Sequence, residues 1–126
     1  MNRNDVSGFI AQEMEKELLA NVISEAEKNL KDPILILSGE NWHEGIIGII
    51  ASRIKDKYHK PTFIISLKGT NGKGSARSIF GFDIGLAIKN AFDFNIVLRG
   101  GPHKMAAGFT IEKKKLKYFD EFIKNY

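Results

Sequence analysis

Apolar or small side chains return every fourth position from Val6 through Ile10, Met14, Leu18, Val22 and Ala26 to Leu30, and Phe9, Leu19 and Ile23 widen the stripe. That spacing gathers them on one face of a long helix. Asp5 or Ser7 can cap its start, and Asp32-Pro33 closes it, because the residue before a proline is pushed out of the helical region. Two destinations fit so long a stripe: the domain's own core, or in part a neighbouring domain to which the helix connects. Ile34-Leu35-Ile36-Leu37 follows as a short continuous apolar run, the pattern of a strand covered on both faces. Asn41 and Glu44 then stand at capping-box spacing ahead of Ile46, Ile47, Ile49, Ile50, Ile54 and Tyr58, so this strand feeds a helix. Gly45, Gly48 and Ser52 make a small-residue stripe along it, which lets the helix lie close to a sheet at a cost of about 1 kcal/mol per glycine.

Thr62-Phe63-Ile64-Ile65-Ser66-Leu67 reads as a second strand, and Asn71-Gly72 as a hairpin turn into an antiparallel partner running from Lys73 to Ile79. Asp83 caps a helix carrying Ile84, Ala87, Ile88, Ala91 and Phe92. Asn95 to Arg99 is a further strand, Phe109-Thr110-Ile111 a short one, and Leu116, Phe119, Phe122, Ile123 and Tyr126 form a closing amphipathic helix. The order α-β-α-β-β-α-β-β-α predicts an α/β domain with a mixed sheet of about five strands flanked by helices. Residues 1–32 are expected to form the connecting helix and residues 33–126 the domain.

Composition narrows the class of protein. A chain of 126 residues with 43% hydrophobic content supports one compact core. The absence of cysteine excludes disulfide frameworks, thiolate metal sites and cysteine nucleophiles, and fits a reducing cytoplasm. The polar start Met1-Asn2-Arg3-Asn4-Asp5 and the shortness of every apolar run leave no secretory segment or membrane span, so a cytoplasmic protein without a membrane partner is expected. A net charge of +4 raises encounter with polyanions without naming one. Lys113-Lys114-Lys115 reads as a solvated helix entry.

Two segments are unusual for a plain core. Along Gly72 to Ser78 the alternating side chains Lys73, Ser75 and Arg77 share one face of a strand at steps of about 7 Å, while Gly74, Ala76 and Ser78 share the other. Such a row of donors suits phosphate oxygens, and equally suits an exposed edge strand carrying protective charge. In Arg99 to Gly108, the pair Gly100-Gly101 after a strand lets backbone N–H groups approach an anion, with His103 and Lys104 adding donors; a tight turn alone gives the same pattern. His43 falls in the first turn of a predicted helix, where free N–H groups favour anions, although a histidine there also completes a cap or packs beside Trp42. His43, His59, His103 and Asp83 match no metal-ligand spacing, and neither the Gly-x-Ser-x-Gly elbow nor Gly-x-Gly-x-x-Gly occurs. No catalytic residue and no metal ligand is therefore assigned within the chain.

Taken together, Trp42-His43-Glu44-Gly45-Ile46-Ile47-Gly48-Ile49-Ile50-Ala51-Ser52-Arg53, then Gly72 to Ser78, then Gly100-Gly101-Pro102-His103-Lys104-Met105-Ala106-Ala107-Gly108, resemble the DHH-associated domain of RecJ-type single-strand exonucleases in order and spacing. The resemblance covers Ile34 to Ile111, and the first helix is similar to that family's inter-domain connector. It implies a 5′-3′ exonuclease in which a separate DHH domain binds two divalent metals, manganese or magnesium, that activate water against a phosphodiester. The associated domain would hold single-stranded DNA across the cleft. By motif, Ser75, Arg77 and Ser78 would contact phosphate, Gly100, Gly101 and His103 would brace the terminal nucleotide, and His43 would contribute at the cleft. Two departures stand out: Pro102 brings a fixed φ and no N–H into the glycine loop, and no Asp-His-His motif occurs. The resemblance thus leads to a nucleic-acid-binding module without its own metals, possessing no cofactor and completed by a separately encoded catalytic domain in one version. A remnant that binds a nucleotide or polyphosphate is the alternative.

Overall fold

The structure, a computed structural model, describes residues 3–101 and 103–126, with side chains described from Ile10 onward. The expected caps Asp5 and Ser7, the side chains of Val6 and Phe9, and Pro102 lie outside that set. Helix α1 spans Arg3–Glu27, strand β1 Leu35–Glu40 and helix α2 Ile47–Tyr58. Strands β2, Thr62–Lys68, and β3, Asn71–Arg77, form a hairpin. Helix α3, Ile84–Asp93, precedes the two-residue strand β4, Arg99–Gly100, and strand β5, Ala106–Glu112; a single 3₁₀ turn, Lys113–Lys115, leads into helix α4, Leu116–Lys124.

The five strands lie in the order β1-β2-β3-β5-β4. Strand β1 runs parallel to β2, with α2 as the crossover between them, and the remaining pairs are antiparallel. This is the mixed α/β sheet that the element order predicts. Both faces of β2 are buried, and its side chains alternate between two cores. Phe63, Ile65 and Leu67 join Ala76, Phe109 and Ile111 under α3 and α4, where Phe119 stacks on Phe109 at 5.1 Å and meets Phe63 edge-on at 5.6 Å. Ile64 faces the other way, with Leu35 and Leu37, under Ile47, Ile50, Ala51 and Ile54 of α2 and Leu18, Val22 and Ala26 of α1. The stripe of α1 therefore divides: its C-terminal half closes this core, while Ile10 and Met14 remain 52% and 37% exposed.

Local chemistry moves four expected boundaries. Asn41 adopts φ 58°, and its N–H donates to the Leu67 carbonyl at 2.8 Å, so it ends the β1 region rather than capping a helix. The N-cap of α2 is Ile46, without a side-chain cap, and Trp42 occupies the intervening space by lying over Gly39. The hairpin turns at Gly69-Thr70, where Gly69 takes φ 63°, as a two-residue turn with glycine first requires. Gly72 sits inside β3 opposite Leu67, and a Cβ there would lie 2.9 Å from Ile65. Asn95 to Val97 do not extend β4, because Asn95 takes φ 61° and the Ile96 N–H returns to the Ala91 carbonyl at 2.8 Å. Strand β3 ends at Arg77, where the chain turns in beneath α3. The cap at Asp83 does form, accepting the Leu86 N–H at 2.9 Å.

Candidate nucleic-acid interface

Alternation along β3 puts Lys73, Ser75 and Arg77 on the sheet face that carries α2, level with Ser66, Ile64 and Thr62 of β2. Helix α2 covers β1 and β2 on this face and meets β3 at Gly48. A Cβ on Gly48 would lie 3.0 Å from Arg77 Nη2 and 3.2 Å from Ser75 Oγ, so the absence of a side chain there makes room for the guanidinium. Beyond that edge the neighbours of β3 are small or polar: Gly108 stands opposite Ser75, Thr110 opposite Lys73, and Arg99 of β4 opposite Thr110. The result is an open shelf with a glycine and threonine floor and cations at its borders. A groove of about 300 Å³ between Lys73 and Arg99 runs over Gly101, Gly108 and Thr110.

Basic side chains border this shelf. Arg77 is half-buried and its Nη1 donates to Ser75 Oγ at 3.1 Å and the Ala76 carbonyl at 2.8 Å, which fixes its plane. Among the described side chains, Lys73, Arg77, Arg99 and Lys104 have no carboxylate partner, which they share with Lys16, Lys31, Lys57, Lys60, Lys68, Lys115 and Lys117, whereas Arg53 pairs with Glu15, Lys113 with Glu40, and Lys124 with Asp32 and Asp120. Cations without counter-charges attract anions. Among the described residues no three His, Asp or Glu side chains come together as a metal site, and a basic shelf does not fit a divalent cation.

The remaining expected site residues separate into two groups. Lys73, Ser75 and Arg77 are brought together as described. Ser78 is buried, and its hydroxyl donates to the Phe82 carbonyl at 2.5 Å, so it closes a turn on the covered side of the strand. Gly100 is a packing glycine, since a Cβ there would lie 2.3 Å from Ile88 of α3. Gly101 has open space around it, but its N–H is committed to the Gly108 carbonyl at 2.9 Å. The exposed side chains of His103 and Lys104 add donors to this loop. His43 precedes α2 instead of occupying its first turn; it is exposed, and its Nδ1 accepts the Gly45 N–H at 3.0 Å. Arg99 is the shelf residue that sequence reasoning leaves out, because its place opposite Thr110 depends on a register across three strands.

Comparison with known proteins follows the same outline. A family model described as the DHHA1 domain matches residues 5–126. The single-stranded-DNA-specific exonuclease RecJ of Salmonella typhimurium is 32% identical over 123 residues, covering 94% of this chain and 21% of that protein. The Escherichia coli K12 protein of the same name is 39% identical over 83 residues, covering 64% of this chain and 14% of its own length. The crystal structure of RecJ with Mn2+ from Thermus thermophilus superposes with a TM-score of 0.80 at 30% identity, over 91% of this chain and 16% of that one. The C-Ala domain of Aquifex aeolicus alanyl-tRNA synthetase, at 14% identity over 73% of this chain and 87% of its own, shares the fold with a TM-score of 0.63. This chain spans about 21% or less of the length of the RecJ proteins named here. With the family model covering nearly every residue, the chain belongs to the DHHA1 domain family in its RecJ-like form.

Proposed function

We propose that the shelf grips the sugar-phosphate backbone of single-stranded nucleic acid, as the nucleic-acid-binding module of a RecJ-like exonuclease. The observation that carries this reading is the set of unpaired cations Lys73, Arg77 and Arg99 around a small-residue floor. Arg77, oriented by Ser75, presents a planar fork to a phosphate, and Lys73 and Arg99 supply charge along the groove. His103 and Lys104 extend the site at the loop, while Ser78 and Gly100 support it by packing and Gly101 by its backbone bond to Gly108. Backbone contacts of this kind carry little sequence information.

Hydrolysis belongs to the complete enzyme. Its metals would be held by a DHH catalytic domain, in the same polypeptide or a separate one, and this domain would contribute the backbone grip opposite them. The exposed upper half of α1, with Ile10 and Met14 continuing the stripe beyond the core, supports such a neighbour.

Titration of a fluorescent single-stranded oligonucleotide at several salt concentrations tests the grip. Affinity should fall linearly on a log–log plot, and Arg77→Ala should weaken binding and flatten the slope by about 0.7 for each phosphate that is no longer neutralised. Salt-insensitive binding, or an Arg77→Ala protein that binds as the native one does, would remove this reading.

A further inference from the structure

Just past Arg77 the chain makes a turn that holds one aromatic ring in solvent and another against the core. The Ile79 carbonyl accepts the Phe82 N–H at 3.4 Å, and Gly81 takes φ 100°, the positive value that a type II turn needs at its third position. The Ser78 hydroxyl, bonded to the Phe82 carbonyl, closes the same turn a second time. Phe82 is half-buried and packs edge-on against Tyr126 at 6.2 Å. Phe80 goes the other way and is 97% exposed. Its ring is displayed by a closed turn.

A single surface phenylalanine needs no explanation, but Phe80 is not isolated. Phe80, Lys104 and Met105 line one groove of about 560 Å³, and Met105 is 48% exposed. The Ser78 N–H donates to the Met105 carbonyl at 2.9 Å, tying the two walls together. Asp83, the acidic residue in this groove, directs its carboxylate to the Leu86 N–H as the cap of α3. An aromatic face and a thioether beside a free lysine, at the end of a ladder of phosphate donors, form a site for a nucleobase.

We infer that Phe80 stacks on a base of the strand whose phosphates lie along Lys73, Ser75 and Arg77, with Met105 closing the apolar side and Lys104 meeting the adjacent phosphate. This rests on the proposed grip of single-stranded nucleic acid by the shelf. Stacking uses the π face that every base has, so the contact is tolerant of sequence.

The test compares a single-stranded thymidine oligomer with an abasic oligomer of the same length, against the native chain, Phe80→Ala, Phe80→Trp and Arg77→Ala. Phe80→Ala should weaken the base-bearing oligomer about tenfold, leave its salt slope unchanged and leave the abasic oligomer unaffected. Phe80→Trp should retain affinity, and 2-aminopurine placed in the oligomer should lose its quenching in Phe80→Ala alone. Arg77→Ala should weaken both oligomers. A Phe80→Ala protein that binds the thymidine oligomer as the native chain does, or that loses the abasic oligomer equally, overturns the stacking and leaves the phosphate grip standing. Absence of salt-sensitive binding by the native chain removes the grip itself, and the stacking with it. Because Phe80 lies in solvent, matched thermal melts should show all variants folded.

Discussion

Gly100 and Gly101 are adjacent in the loop and do different work. The first is held against Ile88, 2.3 Å from where a Cβ would stand; the second faces open space. Gly100→Ala should therefore destabilise the domain by about 1–3 kcal/mol through overpacking, while Gly101→Ala should change it by less than about 0.5 kcal/mol. Paired chemical-denaturation curves check both, and equal losses would contradict the packing assignment. This contrast also marks how far single residues are legible in sequence. The alternation that groups Lys73, Ser75 and Arg77 is a property of any strand and was readable. The reasons for Gly100 and for the position of Arg99 lie in residues remote along the chain, which no local pattern reports.

At the scale of elements, periodicity located the four α-helices and strands β1, β2, β3 and β5, local backbone geometry moved their ends, and the strand expected from Asn95 to Arg99 shrinks to Arg99–Gly100. The Asn41–Glu44 spacing predicts a cap, but β1 needs a left-handed residue to end against Leu67, and that requirement prevails. Ile96 and Val97 are apolar because they pack toward the core at the end of α3, a burial that resembles a strand in sequence. The junction of α1 and α2 carries a pH dependence of its own. Tyr58 donates its hydroxyl to Glu27 Oε1 at 2.6 Å, and burial, that hydrogen bond and the negative charge of Glu27 together push the phenol from 10.0 up to about 12. Since the folded-state value is raised, the contribution is fully present below about pH 10 and is lost as pH rises toward about 12, where the unfolded chain ionises first. Tyr58→Phe should flatten the stability curve within that window and not below it, as read from denaturation midpoints across the alkaline range. A residual alkaline loss should persist in the variant: burial lowers Lys124, but its bonds to Asp120 and Asp32 outweigh this and raise it overall.

At the scale of the molecule, the two faces of the sheet are covered unequally. Helices α3 and α4 seal one face across β2, β3 and β5, whereas α1 and α2 seal the other only as far as β3, and the uncovered remainder is the shelf. The shelf is thus a consequence of where a helix stops, and stability and the proposed binding should be separable along α1. Leu18 is the first buried residue among the described side chains, and everything described before it is half-buried or exposed. Removing residues 1–13 should therefore leave the denaturation midpoint and oligonucleotide affinity close to native, with the Arg53–Glu15 pair retained. Leu18→Ala should instead cost about 2–5 kcal/mol by opening a cavity between α1 and α2. The same truncation bears on the proposed enzyme. If Ile10 rests on a catalytic domain, the shortened chain should still bind DNA yet release fewer nucleotides than the full chain when mixed with that domain and manganese. Equal release by the two chains would show that residues 1–13 have no part in the assembly, and a truncated chain that unfolds would contradict the division of its stripe.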